Sequence, residues 1–137
     1  MTHTRVHIFS GEFANREAAC EYSEAQWEPE PDESVSAEEY REWEDRNPTW
    51  QMKSDLGGLY LDSDFIETIG IDDGDWYRYL SQYLTEPDAA ARVLGGIDPR
   101  ANFLVLIFEE ALGDYPLKSP LKSTAKLAYC GEHACQL

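Results

Sequence analysis

Six consecutive apolar residues, Phe103–Phe108, restrict the fold of this chain more than any other segment. A continuous run of this length is typical of a strand that is buried on both faces. Such a strand belongs in the middle of a sheet, where neighbouring strands satisfy its backbone. We therefore expect the rest of the fold to be built around it.

Three further segments are candidates for the remaining strands. Apolar and polar residues alternate before the Ser10-Gly11 turn, which predicts a first strand over residues 6–9. Residues 65–71 fit either a strand or a helical turn, and we favour a strand that starts near Phe65. After a turn-rich connection over residues 114–120, weak alternation over residues 124–129 indicates a final antiparallel strand, with a frayed tail from about residue 131.

Helices are predicted between these strands. Asn15 and Ser36 are N-cap candidates for the first two helices, and Asn47 with Pro48 is typical of the start of a third, which ends at Gly57-Gly58. The predicted helices cover residues 16–27, 37–45, 50–56, 75–84 and 87–94. Together these elements predict one α+β domain over residues 1–137, with a small, mostly antiparallel sheet of three or four strands packed with several short helices.

The negative charge of the chain is concentrated in one stretch. Between Glu12 and Asp75 there are 20 acidic and 4 basic residues, whereas the rest of the chain has 7 of each, so this stretch carries the whole net charge of −16. Charges of one sign that lie close together repel each other and oppose folding. Their presence suggests that the negative potential of this stretch has a function, such as attracting a partner. A basic protein is the natural partner, because nucleic acid and anionic membranes need positive charge instead.

The same sequence predicts a cytoplasmic protein. Its longest apolar run is far shorter than the roughly 20 residues that span a bilayer, and its first residues lack the pattern of a secretory signal. Three cysteines, Cys20, Cys130 and Cys135, fit reduced thiols, although a bridge between the last two remains an alternative.

Two groups of residues contain potential metal ligands. Asp62, Asp64 and Glu67 could hold Mg²⁺ or Ca²⁺, but their spacing is also typical of turn capping or partner contact. Cys130, His133 and Cys135 offer three zinc ligands, whereas a structural site needs four. We expect no metal, no cofactor and no catalytic residue.

A second pattern interleaves acidic and aromatic residues over residues 24–50. Aromatic side chains anchor protein interfaces, and surrounding carboxylates accelerate association and disfavour wrong partners. The alternative is that each tryptophan packs in the core beneath a solvated acidic face.

Several segments resemble the immunity protein 22 family of bacterial polymorphic toxin systems. They are Phe9-Ser10-Gly11-Glu12-Phe13, Asp55-Leu56-Gly57, residues 60–67 and Asn102 with the strand that follows it. The resemblance covers residues 6–108 and is most specific over residues 55–67. It implies a small cytoplasmic protein that binds a cognate toxin domain and blocks it.

The residues and the resemblance together give the leading hypothesis, an immunity protein that occludes a nuclease-type toxin through its acidic surface without performing chemistry. A nucleic-acid mimic that inhibits a DNA-binding protein is one alternative, and a metal-dependent enzyme using the carboxylates at positions 62, 64 and 67 is another. The expected toxin-binding residues are Glu28, Glu30, Asp32, Glu33, Trp43, Glu44, Asp45, Trp50, Asp62, Asp64 and Glu67.

Overall fold

A computed structural model describes residues 3–113 and 120–136 of the chain. In this part of the chain the strands are β1 (His3–Gly11), β2 (Ile66–Gly70), β3 (Phe103–Phe108) and β4 (Ala128–Gln136). The helices are α1 (Arg16–Ser23), α2 (Ala37–Arg46), α3 (Gln51–Asp55), α4 (Trp76–Tyr83) and α5 (Ala89–Gly95). Short 3₁₀ helices cover Ser63–Phe65, Ile71–Asp73 and Glu109–Ala111.

The four strands form one antiparallel sheet in the order β2-β3-β1-β4. All six residues of β3 are buried, and the strand lies between β2 and β1. The prediction of an α+β domain with Phe103–Phe108 in the middle of the sheet is therefore confirmed. The preference for a strand after Phe65 is confirmed by β2.

Each face of the sheet carries its own hydrophobic core. On one face Phe9, Val105 and Ile107 pack with α1 and with Met52 of α3. On the other face, the alternate sheet residues pack with Leu80 of α4 and Val93 of α5. Because successive strand residues point to opposite faces, a strand covered by helices on both sides has no polar position. This explains the unbroken apolar run in β3.

The first helix is shorter than predicted. Asn15 does cap α1, by accepting a hydrogen bond from the Ala18 N–H at 2.8 Å, but the helix ends at Ser23 rather than at residue 27. The Ser23 carbonyl accepts a hydrogen bond from Trp50 Nε1 at 2.9 Å, and its hydroxyl bonds to Thr68 Oγ1 at 2.7 Å. These contacts with distant residues fix the chain where the local sequence would have continued the helix.

The prediction that Asn47 begins the third helix is wrong. The second helix begins after the Ser36 cap as predicted, and Asn47 closes its C-terminal end through a bond from its N–H to the Glu44 carbonyl. The third helix, α3, starts only at Gln51, after Trp50.

The prediction of a frayed tail from about residue 131 is also wrong. Residues 131–136 belong to β4, which pairs with β1 from Ala128 opposite Ser10 to Gln136 opposite His3. Gly131 has a φ of 100°, and it lies where the register between the two strands shifts. A glycine is favoured there because this backbone conformation is strained for other residues. Of the predicted connection over residues 114–120, residues 114–119 lie outside the described part.

Across residues 3–113 and 120–136, no helix combines the length and the apolar character needed to cross a membrane.

Candidate functional site: an acidic excursion from the domain

The most acidic part of the chain leaves the body of the domain as a single excursion, residues 27–48. The chain departs after Gln26 and returns at Thr49, and these two residues pair as an isolated antiparallel bridge. Two backbone hydrogen bonds join them, from the Gln26 N–H at 2.7 Å and from the Thr49 N–H at 2.9 Å. We call this pair the neck. The neck therefore joins the two ends of the excursion at its base.

The excursion has its own small aromatic cluster. The ring centroid of Trp43 lies 6.1 Å from that of Trp27 and 5.5 Å from that of Tyr40. Helix α2, which carries Tyr40 and Trp43, has no fully buried residue. Trp27 is 62% exposed. The aromatic rings therefore stabilise the excursion itself and also present apolar surface to solvent.

Glu28 and Asn47 tie the two ends of the excursion together. The Glu28 N–H donates to Asn47 Oδ1 at 2.8 Å, and Asn47 Nδ2 donates to Glu28 Oε2 at 2.9 Å. Arg46 Nε donates to the same carboxylate at 3.1 Å, and Trp43 Nε1 donates to the Glu28 carbonyl at 3.3 Å. The hydrogen bonds from Arg46 and Asn47 lower the pKa of Glu28. This predicted toxin-binding residue thus has a structural role within the excursion.

Two other predicted residues of the loop are also held by internal contacts. Tyr40 donates its hydroxyl hydrogen to Glu30 Oε1 at 2.8 Å, and this bond raises the pKa of the tyrosine. Hydrogen bonds from the side chain and from the backbone N–H of Ser34 lower the pKa of Asp32. The loop over residues 28–34 is therefore largely exposed, and its own carboxylates help to fix its conformation.

The acidic residues of the excursion give it a strongly negative electrostatic potential. Nine acidic residues and two arginines lie between residues 27 and 48, a balance of −7. Glu33, Glu44 and Asp45 are among its exposed side chains, on the loop and at the end of α2. Together with Trp43 they are the predicted toxin-binding residues that share this surface with Glu28, Glu30 and Asp32.

Trp50 lies outside this surface. It is half-buried, packs against the core on the α1 face of the sheet and donates its indole N–H to the Ser23 carbonyl. For Trp50, the structure therefore agrees with the alternative that a tryptophan of this segment packs in the core. It anchors the returning chain just beyond the neck.

Asp62, Asp64 and Glu67 are not part of the excursion, although their neighbour Ser63 lines a groove together with Trp27. Asp62 accepts a hydrogen bond from the Asp64 N–H at 3.0 Å and caps the 3₁₀ helix Ser63–Phe65. Glu67 is half-buried on β2, on the face of the sheet that α4 covers, and burial raises its pKa. Among the residues that the structure describes, no group of three His, Cys, Asp or Glu side chains is arranged to hold a metal ion.

The possible zinc ligands of the C-terminal segment have separate environments. Cys135 is buried in the core, where burial raises the pKa of its thiol to about 11. His133 Nε2 instead lies 3.0 Å from the carbonyl oxygen of Cys130. All three cysteines are free thiols, so the alternative of a bridge between Cys130 and Cys135 does not hold.

Sequence reasoning misses the role of Asn47, which it assigns to a helix start. It includes Trp27 in the pattern of acidic and aromatic residues, but it places this residue at the end of the first helix, which stops at Ser23. The only sequence signal for the excursion was its composition, since the neck joins residues that are far apart in the chain.

Comparisons with known proteins do not assign this surface a function, because no family model, no curated protein and no solved structure matches the chain.

Proposed function

We propose that this protein is an immunity-type inhibitor that binds a basic toxin domain, of the nuclease type, and blocks its cleft. One observation carries the proposal. The excursion collects a balance of −7 on an element whose helix has no fully buried residue. Charge placed there does little for the packing of the domain, whereas it is well placed to attract a basic partner.

The aromatic cluster supports a binding role for the same surface. Electrostatic attraction accelerates encounter, but it gives limited affinity once salt screens the charges. The exposed ring of Trp27 beside Trp43 supplies apolar contact area of the kind that anchors interfaces. Carboxylates around an aromatic centre fit a cleft that normally receives phosphates and bases. The protein would occupy the cleft and perform no chemistry of its own.

A salt series tests the electrostatic part of this proposal. We expect the gene of the partner toxin to lie next to this one. Its toxin domain would be co-purified with the protein, and the dissociation constant measured from about 50 mM to about 500 mM NaCl. We expect the association rate to fall steeply as salt rises, with a smaller change in the dissociation rate. A complex whose association rate is unaffected by salt would contradict occlusion by the acidic surface.

A charge-reversal variant tests where the toxin binds. Glu33, Glu42 and Asp45 are exposed residues of the excursion, so replacing all three by lysine should leave the domain folded. We expect at least about a tenfold slower association with the toxin domain, because rim charges act mainly on this rate.

The matched control reverses three exposed carboxylates outside the excursion, Glu12, Asp72 and Glu110. It makes the same change in net charge. If both triple variants slow association equally, the effect comes from overall charge and the excursion is not the binding surface. A DNA-binding protein captured in place of a toxin would favour the nucleic-acid mimic instead.

A further inference from the structure

Two grooves lie beside the neck, and they have no lining residue in common within the part of the chain that the structure describes. The first, of about 440 Å³, is lined by residues of α1, the neck and α3, and we call it the α3 groove. The second, of about 350 Å³, runs along β2, and we call it the β2 groove. Gln26 lines the α3 groove, whereas its neighbours Ala25 and Trp27 line the β2 groove. Because successive residues of an extended chain face opposite sides, the two grooves open on opposite sides of the neck.

Each groove combines one carboxylate with one indole. Glu21 and Trp50 line the α3 groove, and Glu24 and Trp27 line the β2 groove. Both glutamates are exposed, and within residues 3–113 and 120–136 neither forms an ion pair or shares its groove with a lysine or arginine. A carboxylate beside an aromatic ring favours a cation, which pairs with the carboxylate and is attracted to the face of the ring.

The α3 groove adds uncharged acceptors to this pair. The side-chain amide nitrogen of Gln26 donates to two backbone carbonyls near the end of α1, at 3.1 and 3.3 Å, and that of Gln51 donates to Asp55 Oδ1 at 2.7 Å. Because both nitrogens are engaged, the amide oxygens are what these side chains have left to offer a ligand. The indole N–H of Trp50 is also bonded within the protein, which leaves its ring surface.

The β2 groove has a fixed side and an exposed aromatic side. The hydroxyl groups of Ser23 and Thr68 bond to each other at 2.7 Å, which ties the end of α1 to β2. Trp27 lines the same groove and is 62% exposed. An indole with this much free surface leaves room for a planar cation to stack on it beside the carboxylate of Glu24.

We propose that the two grooves beside the neck each bind one arginine side chain of the basic partner. Arginine suits them better than lysine, because its planar guanidinium stacks on aromatic rings and its five N–H groups reach several acceptors at once. One positive charge matches the single carboxylate of each groove. The inference rests on the proposed function for its partner, a basic protein, and it adds contacts at the base of the excursion to those of its acidic surface.

The four tryptophans of the chain are natural reporters for the experiment. Trp27 and Trp50 line the two grooves, Trp43 lies on α2, and Trp76 is buried on the face of the sheet that α4 covers. N-acetyl-arginine methylamide is titrated into protein that is isotopically labelled at tryptophan, and the indole signals are followed by NMR. We expect saturable shifts for Trp27 and Trp50, whereas the signals of Trp43 and Trp76 should stay in place.

Two related probes separate charge from shape. The citrulline derivative has nearly the same shape as the arginine probe but no charge, and it should shift none of the four indole signals. The lysine derivative keeps the charge without the planar group, and it should bind about threefold more weakly or less. All three titrations are made at the same ionic strength, because salt screens such contacts.

Two variants test the grooves one at a time. Glu21→Gln and Glu24→Gln each replace an exposed carboxylate by an amide of similar size, so both proteins should remain folded. Glu21→Gln should weaken the response of Trp50 by about threefold or more and leave that of Trp27 unchanged. Glu24→Gln should have the opposite pattern, so each variant is the matched control for the other.

Several outcomes would overturn the inference. Equal shifts with the citrulline derivative would show that the grooves do not recognise charge, and equal or tighter binding of the lysine derivative would reject arginine. A response of Trp43 as large as those of Trp27 and Trp50 would place the cation on the excursion at large. A response from only one groove, or from neither, would reject the pair of sites. Shifts that appear on concentrating the protein alone would identify a second copy as the occupant.

The proposed function fails on separate evidence, namely if the toxin domain forms no salt-sensitive complex with the protein. A salt-sensitive complex whose association and dissociation rates are the same for the parent, Glu21→Gln and Glu24→Gln would keep the proposed function and reject the two arginine sites.

Discussion

Glu28 and Asn47 bond to each other twice, once through the Glu28 N–H and once through its carboxylate. The two residues stand at opposite ends of the excursion, and Asn47 Nδ2 also donates to the Trp43 carbonyl. The Asn47 side chain therefore connects the first residues of the excursion, its last residues and helix α2. Its removal should affect the excursion far more than the sheet.

Asn47→Ala tests this separation. Each lost hydrogen bond contributes about 0.5–1.5 kcal/mol, so the excursion should open more often while the thermal midpoint of the domain stays nearly unchanged. Hydrogen exchange at the Glu28 amide is the measurement, and it should become faster. Arg46→Gln is the control, since it removes an exposed ion pair, and it should have a smaller effect. A large fall in the thermal midpoint would show that the excursion and the sheet unfold together.

Excision of residues 27–48 is the stronger test of the neck. Gln26 and Thr49 exchange both backbone hydrogen bonds, which is the geometry of residues that flank a two-residue hairpin turn. Joining them with Asn-Gly should give a folded domain with the same four-stranded sheet, and its net charge falls from −16 to −9 because a balance of −7 is removed. Circular dichroism and amide NMR would check the fold. Failure to fold would mean that the body depends on the excursion.

The pH dependence of stability should report on His7. This residue is 2% exposed, and its Nδ1 lies 2.8 Å from the Tyr129 hydroxyl. Burial lowers its pKa below 6.5, although Glu132 opposes the shift. As pH falls below 6.5, the unfolded chain gains a proton at His7 that the folded protein does not yet accept. The free energy of unfolding should therefore decrease, by at most about 1.4 kcal/mol per pH unit from this group.

Urea unfolding of the parent and of His7→Gln at about pH 7.5 and about pH 5.5 isolates this contribution, because the other groups titrate in both proteins. The parent should lose more stability than the variant over this interval. An equal loss would show that the histidine titrates alike in the folded and unfolded chains.

Truncation after Cys130 distinguishes a paired strand from a frayed tail. A frayed tail could be removed without consequence, whereas the structure predicts that the shortened chain loses cooperative folding, since most of β4 and the buried Cys135 are removed. Thermal unfolding followed by circular dichroism is the measurement. Cys135→Ala, which keeps the strand, should remain folded and lose only about 1–2 kcal/mol.

The elements that sequence predicted well are those determined by nearby residues. In β3, the six consecutive apolar residues are enough to predict that the strand is buried on both faces. Helix α4 combines apolar residues at helical spacing with Asp75, which caps it by accepting bonds from the N–H groups of Tyr77 and Arg78. Local patterns of this kind need no knowledge of the rest of the fold.

The elements whose bounds were predicted wrongly depend on residues far away in the chain. Strand β4 has only weak alternation, and its partner β1 is more than 100 residues away. Helix α1 ends where Ser23 meets Trp50 and Thr68, which no local pattern indicates. In the candidate site, composition located the acidic surface, but it could not show that Glu28 is tied to Asn47 or that Trp50 belongs to the core.

The neck also has a consequence for how such a chain can diversify. Because two backbone bonds close the excursion, the segment between Gln26 and Thr49 can change in length or charge without altering the register of the strands. Insertions there would meet solvent rather than the packed layers. One unchanged scaffold could in this way display different recognition surfaces to different partners.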